Sequence, residues 1–532
     1  MIVKKIAQLA FVSCLCWSMG CSSNSKEASI KDSDRDHAES SETEKFAANW
    51  ESLQKYETPE WFSDAKLGIF IHWGPYAVPA KWSEWYPRFM YQDSVQWHQT
   101  HPERTKQGGH PVFTHHTEKW GHPSKFGYKD FIPMFKAEKF DATEWVNLFK
   151  EAGAKYVVPV AEHHDGFAMY KSNVTRWNAA EMGPKRDVLK ELSDASKAAG
   201  LKVGASSHFA FNWDYFNKED RFDTGDPQYA DLYGPKHERY APVSEEFMEL
   251  WWARTKDIID NYQPDVLWFD FYYDRPEFSP YHPKMAAYYY NKGLEWNKKV
   301  VLQSKNMGQG SFPEGTFTLD IERGKMSKTH KETWQTDTSI GKNSWCYTED
   351  WESKTADGLV DDLIDIVSKN GTMLLNIGPK ADGTIPESQQ QVLLDMGKWL
   401  KTNGVAIYGS RPWRVFGEGP TEVAVGHHSE KNNKALTGED FRFTTNNGKL
   451  YAIAMDWSDN GKMLVKTLAK NSEHCKWAIE KVKMVGSEAN LNWKQTDAGL
   501  EIELPAQKTG DYAYVFEVDF GAKGKVATQN LL

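Results

Sequence analysis

Asp265-Val266-Leu267-Trp268-Phe269-Asp270 is an apolar run with a carboxylate at each end. It is too short for a typical helix, Pro264 precedes it, and an amphipathic pattern precedes that. Together these features predict a buried strand of an α/β protein. A carboxylate at the C-terminal tip of such a strand lies where barrel enzymes place their chemistry. Asp270 is therefore the first candidate for a catalytic group.

The neighbouring sequence repeats this pattern in both directions. Ser244 can cap a helix carrying Phe247, Leu250, Trp251, Ile258 and Ile259, which ends before Pro264. Upstream, Asp141 opens a helix with Glu144 in its first turn and Trp145, Leu148, Phe149 and Ala152 at helical spacing. Tyr156 to Ala161 follows as a strand. A helix through Val188, Leu189, Leu192 and Ala199 then stops at Gly200, before a strand from Leu201 to Ser206. Downstream, Leu359, Leu363, Ile366 and Val367 mark a helix before strand Thr372 to Ile377, and a last helix runs from near Pro386 to Gly404. Such β-α alternation predicts a parallel sheet, and polar groups at several strand ends favour a (β/α)₈ TIM-like barrel over residues 46–404. Tyr91 to Phe135, with no clear period, reads as a long loop insertion near the barrel mouth.

After Tyr408 the pattern changes to short strands, Phe441 to Thr445, Lys449 to Met455, Met463 to Leu468, Val482 to Val485, Leu500 to Leu504 and Tyr512 to Val518. Turn signals such as Asn446-Asn447-Gly448 separate them. Residues 405–532 are expected to form a C-terminal antiparallel β-sandwich.

The first 20 residues have the features of a lipoprotein signal peptide. Lys4 and Lys5 precede a mainly apolar core from Ile6 to Trp17, too short to span a membrane. Ser18-Met19-Gly20-Cys21 ends in a small residue plus Cys, and a polar tether follows over residues 21–45. The expectation is lipidation at Cys21 and an exported protein, lipid-anchored in the bacterial envelope. Cys14 and Cys16 would leave with the signal. Cys346 and Cys475 lie in separate apolar segments and are expected to be free, buried thiols, with no redox or metal role.

The net charge of −10 argues against nucleic acid or anionic lipid as the main partner. With 23 Trp in the chain, the composition suits a sugar binder, because aromatic faces stack on sugar C–H faces.

Several motifs close the predicted strands. They are Gly68-Ile69-Phe70-Ile71-His72-Trp73-Gly74, then Trp82-Ser83-Glu84-Trp85-Tyr86, Glu162-His163-His164-Asp165-Gly166-Phe167 and Gly204-Ala205-Ser206-Ser207-His208. Late in the barrel come Lys369 to Pro379 and Asp382-Gly383-Thr384-Ile385-Pro386. In this order, and with the Asp270 strand, the set closely resembles the retaining α-L-fucosidases of glycoside hydrolase family 29, from about Trp61 to Pro386.

That resemblance implies an exo-acting α-L-fucosidase working by double displacement, with no cofactor and no metal, on fucosylated oligosaccharides or polysaccharides. Asp270 matches the nucleophile. His72, Glu84, Trp85, His163 and His164 match groups that hydrogen-bond the fucose hydroxyls. Phe70, Trp82, Trp268 and Trp345 match positions around the C6 methyl. His208 is a further binding candidate, although the family often has Tyr-Tyr-Ser where this chain has Ser206-Ser207-His208. Glu322, in Leu319-Asp320-Ile321-Glu322-Arg323-Gly324, lies where many members carry the acid/base. Its context differs from the commoner Pro-Glu or Ala-Glu, and Ser304-Lys305-Asn306 stands where many members have Asn-Asp-Arg. Glu277 and Glu314 stay as alternatives.

Two other classes compete, a metal-dependent hydrolase on the same barrel and a non-catalytic sugar-binding relative. The His-x-His spacing of zinc barrels is missing, and adjacent residues on a strand, such as His163 and His164, should point to opposite faces. Asn376 reads as structural.

Overall fold

The computed structural model describes residues 45–95, 109–307 and 312–528. The signal peptide, Cys21 and the tether up to residue 44 lie outside the described residues. Eight parallel strands form one sheet: β1 (Leu67–Ile71), β2 (Tyr156–Glu162), β3 (Lys202–Ser207), β4 (Val266–Phe269), β5 (Val301–Ser304), β6 (Thr318–Leu319), β7 (Trp334–Ser339) and β8 (Gly371–Ile377). Their order is β6-β5-β4-β3-β2-β1-β8-β7, and a parallel bridge from Asp320 to Gln335 brings the two ends together as a barrel. Every residue of β1, β2, β4 and β8 is buried. That is why these strands read as apolar runs rather than as alternating patterns.

The barrel interior holds Phe70, Tyr156, Val158, Val160, Val266, Trp268, Val301 and Leu374. Tyr156 fits because its neighbour on β1 is Gly68, where an added Cβ would lie 2.3 Å from the ring. Pro159 offers no N–H, and the β2–β3 ladder is irregular just beyond it, between Val160 and Glu162.

Outside, the helices follow the caps read from sequence. Ala142–Glu151 starts after Asp141, whose carboxylate accepts from the N–H groups of Thr143 and Glu144. Glu245–Tyr262 starts after Ser244, which accepts from Phe247. The predicted loop insertion carries regular structure over residues 109–135. It contains a helix at Pro111–Lys119, capped by His110, and a 3₁₀ stretch at Tyr128–Met134.

The C-terminal region is a pair of antiparallel sheets. Five strands, β9 (Arg411–Glu418), β10 (Phe441–Asn446), β11 (Lys449–Ala454), β13 (Lys481–Met484) and β16 (Tyr514–Asp519), face three, β12 (Lys462–Val465), β14 (Asn492–Gln495) and β15 (Leu500–Glu503). The two sheets share one core that includes Phe443, Phe516, Val465 and Ile502. Sequence reading missed β9 and β14. β9 is mostly intermediate with no alternation, and β14 alternates only between exposed and half-buried residues, without the fully buried ones that mark β12, β13 and β15.

The sandwich docks on the barrel helices Ala356–Ser368 and Glu387–Asn403. Arg442 Nε lies 2.6 Å from Asp365, which also takes Lys369 at 2.7 Å, and Trp399 donates to the Ala513 carbonyl at 2.8 Å. Cys346 and Cys475 are free and buried, as expected.

Candidate active site

One pocket opens at the C-terminal ends of the barrel strands. It is lined by His72, Glu84, Trp85, His163, His164, His208, Trp268, Asp270, Phe271, Lys305, Glu322, Asp337 and Trp345. Asp270, one residue past β4, is almost fully buried. Its Oδ2 lies 3.1 Å from His208 Nδ1 and 3.2 Å from His164 Nε2, and its Oδ1 takes the Lys305 ammonium at 2.7 Å. Burial opposes ionisation of Asp270, but Lys305 and the two histidines outweigh it and hold the carboxyl well below the usual range.

Lys305 is the largest feature to which sequence reading assigned no role. The ammonium touches Glu322 Oε2 at 2.6 Å as well as Asp270, and lies 3.8 Å from Asp337. Burial works against its charge, yet these carboxylates push its pKa well up. It lies one residue past β5, so the strand-tip rule that singled out Asp270 also applies to it. Behind it, Asp320 accepts from Trp268 Nε1 and Gln335 Nε2, both at 2.9 Å. Burial raises Asp320 to about 6, and burial together with the Asp320 charge holds Asp337 well above the usual carboxylate range.

Three of the four histidines are fixed by hydrogen bonds on the side away from the sugar-binding space. His72 Nδ1 pairs with Asn376 Oδ1 at 2.8 Å, and Asn376 is itself bonded to Ser339 and Trp345, a structural role. His164 Nδ1 pairs with the His208 carbonyl at 2.7 Å, and His208 Nε2 with Ser206 Oγ at 3.1 Å. Burial lowers His208 to about 4, so it is neutral and its Nδ1–H donates to Asp270. His163 Nδ1 is buried with no hydrogen-bond partner among the described residues, which leaves it for a ligand. Glu84 Oε2 accepts from the Trp345 N–H at 3.0 Å, and burial raises its pKa.

His163 and His164 both line the pocket, with ring centroids 4.5 Å apart, instead of facing opposite ways. The reason is local. β2 ends at Glu162, and the chain turns there through Gly166 at φ +82°, so strand alternation no longer applies.

Phe70 lies beneath the pocket, its ring 5.0 Å from Trp268 and 6.3 Å from Trp345. Trp82 is not among the lining residues. It is 44% exposed, in the left-handed region, with its ring against His110 and Phe89. Of the three acid/base candidates, Glu322 alone lines the pocket. Glu277 is paired with Arg275 at 2.7 Å, and Glu314 is exposed, 3.9 Å from His330.

Two sets, His72/His163/His208 and His164/His208/Asp270, each bring ligand atoms within 4.8 Å of one another. His208 can serve only one of them, and the second would set a metal ion beside the Lys305 ammonium on the same carboxylate.

A parallel barrel whose rim combines two carboxylates on one ammonium with four histidines and an aromatic floor has the groups that a sugar-cleaving hydrolase uses. The sequence model for alpha-L-fucosidase matches residues 35–405, and that for the alpha-L-fucosidase C-terminal domain matches residues 433–519. Tissue alpha-L-fucosidase of Mus musculus is 31% identical over 471 residues, covering 87% of this chain and 91% of its own. The Homo sapiens tissue enzyme is 31% identical over 87% of this chain and 88% of its own. Thermotoga maritima alpha-fucosidase, in complex with a mechanism based inhibitor, superposes with a TM-score of 0.69 at 28% identity, covering 89% of this chain and 99% of its own. The chain belongs to the alpha-L-fucosidase family and is a glycoside hydrolase with that activity.

Proposed function

We propose that the enzyme releases terminal L-fucose from fucosylated glycans with net retention, Asp270 acting as nucleophile and Glu322 as acid/base. The observation that carries this reading is Lys305. Its ammonium bonds one oxygen of each carboxylate, at 2.7 and 2.6 Å. Those two oxygens are therefore at most about 5.3 Å apart, short of the separation of inverting pairs (~6.5–9.5 Å) and compatible with that of retaining ones (~5–5.5 Å).

In the first step an Asp270 oxygen bonds the anomeric carbon as Glu322 gives its proton to the departing glycosidic oxygen. In the second, Glu322 takes a proton from water, whose oxygen displaces Asp270. Lys305 supports both steps. It keeps Asp270 ionised beforehand, and once Asp270 is esterified the ammonium is left to Glu322, the group that must then act as base. His72, His163, His164 and Glu84 suit the sugar hydroxyls, and Phe70, Trp268 and Trp345 the C6 methyl.

Proton NMR of the first fucose formed from an aryl α-L-fucoside tests the stereochemistry. The α-anomer is expected first, and the β-anomer first would mean inversion. Activity should also survive prolonged chelation. Loss that a divalent ion restores would favour a metal-dependent hydrolase instead.

A lipid anchor at Cys21 fits the basic start, the short apolar core and Gly20-Cys21. Mass spectrometry of the mature N-terminus from the native host should find diacylglyceryl-Cys21, and an unmodified N-terminus elsewhere would refute it.

A further inference from the structure

The second carboxylate of the site is held from outside the barrel. After β9 the chain returns to the barrel mouth, where Gly426 pairs antiparallel with Lys325, its N–H 2.9 Å from the Lys325 carbonyl. Next to this bridge, the Glu322 N–H donates to His427 Nδ1 at 3.0 Å, and the His428 N–H donates to the Glu322 carbonyl at 2.8 Å. The approach is close. A Cβ on Gly324 would meet the Gly426 carbonyl oxygen at 1.8 Å.

Glu430 fastens the far end of the segment. It takes Arg323 at 2.5 Å, Lys354 at 2.6 Å and the Thr338 hydroxyl at 2.7 Å, while Arg323 lies over the Trp345 ring at 4.5 Å. The bond from the Glu322 N–H needs His427 Nδ1 unprotonated, and burial, followed by the nearby Lys305, keeps His427 below its usual range. His428 is held in the left-handed region at φ +56°, with its side chain 57% exposed and Nδ1 3.8 Å from Glu322 Oε1.

We propose that residues 426–430 form the leaving-group half of the active site. His427 positions Glu322, and His428 presents its imidazole to the hydroxyl-rich sugar that departs. This rests on the reading of Glu322 as acid/base.

The test compares three substrates in the full-length enzyme: 4-nitrophenyl α-L-fucoside, methyl α-L-fucoside and a fucosyl-galactose disaccharide. His427→Phe keeps a ring and removes the acceptor. It should cut kcat/KM for the methyl and disaccharide substrates at least about tenfold more than for the aryl one, since only the poorer leaving groups depend strongly on protonation. His427→Asn, which keeps an acceptor at the δ position, should recover most of that difference, and L-fucose should bind both variants as it binds the wild type. His428→Ala should raise KM several-fold more for the disaccharide than for the methyl fucoside, which carries no departing sugar for the imidazole to meet.

Uniform losses on all three substrates for His427→Phe, or an unchanged disaccharide KM for His428→Ala, would overturn the proposal. If the Phe variant fails to fold, the exposed His428 site carries the test alone. Glu322→Ala on the same substrates separates the two ideas. Equal losses there on aryl and methyl fucosides would remove Glu322 itself, whereas a strong leaving-group dependence with flat His427 and His428 results would remove only the role of this segment.

Discussion

The Lys305 ammonium lies 2.7 Å from Asp270 Oδ1, inside a pocket where both side chains are almost fully buried. An unpaired carboxylate at that depth would tend to take up a proton. The pair keeps it anionic, which is the state a nucleophile needs.

Replacing the ammonium should therefore show in rate and in pH dependence. Lys305→Met is expected to lower kcat/KM by roughly 10²–10³-fold, the scale of losing one well-placed charge in a dry site. Asp270 is depressed in the wild type, so removing its cation moves its pKa up, and the acidic limb of the kcat/KM profile should shift to higher pH. A matching loss with an unmoved acidic limb would mean that Lys305 does not set the Asp270 charge.

Asp270→Gly should lose nearly all turnover while keeping the fold, because a carboxylate at a strand tip faces the pocket and not the packed layers. Azide can attack from the vacated side, so added azide should partly restore turnover and give β-fucosyl azide. Near-wild-type turnover in a clean preparation would remove Asp270 from the nucleophile role.

Away from the pocket, Asp365 joins barrel and sandwich through Lys369 and Arg442. Burial opposes its charge, but Lys369, then Lys325 and Arg442, outweigh it and hold it below the usual range. A depressed carboxyl stabilises fully above its unfolded value of about 4 and loses that contribution as pH falls below it. Asp365→Asn should cost about 3–5 kcal/mol at pH 7, because it leaves two cations buried without their anion. Denaturant unfolding should show the gap narrowing below about pH 4. A gap that does not change with pH would assign the loss to packing.

The barrel was legible because its strands are buried on both faces and its helices open on Asp141 and Ser244, so local chemistry and tertiary position agree. Asp270 was legible from its place at a strand tip, and His72 and His208 from the family motifs that close their strands. Lys305 stood out in the sequence only as part of a departure from the family stretch, because its pairing depends on Asp270 and Glu322 converging on it from other strands. The contact of His427 with Glu322 spans 105 residues and leaves no local pattern at all. Trp82 went the other way, matched by motif yet turned outward by its left-handed backbone.

Trapping with a 2-deoxy-2-fluoro-fucosyl fluoride tests the double displacement most directly, because the 2-fluorine slows both steps while the fluoride leaving group keeps formation of the glycosyl-enzyme faster than its release. Peptide mapping by mass spectrometry should place one fluorofucosyl group on Asp270, with time-dependent loss of activity that L-fucose slows. A label on another residue, or inactivation with no covalent adduct, would contradict the assignment of Asp270 as nucleophile.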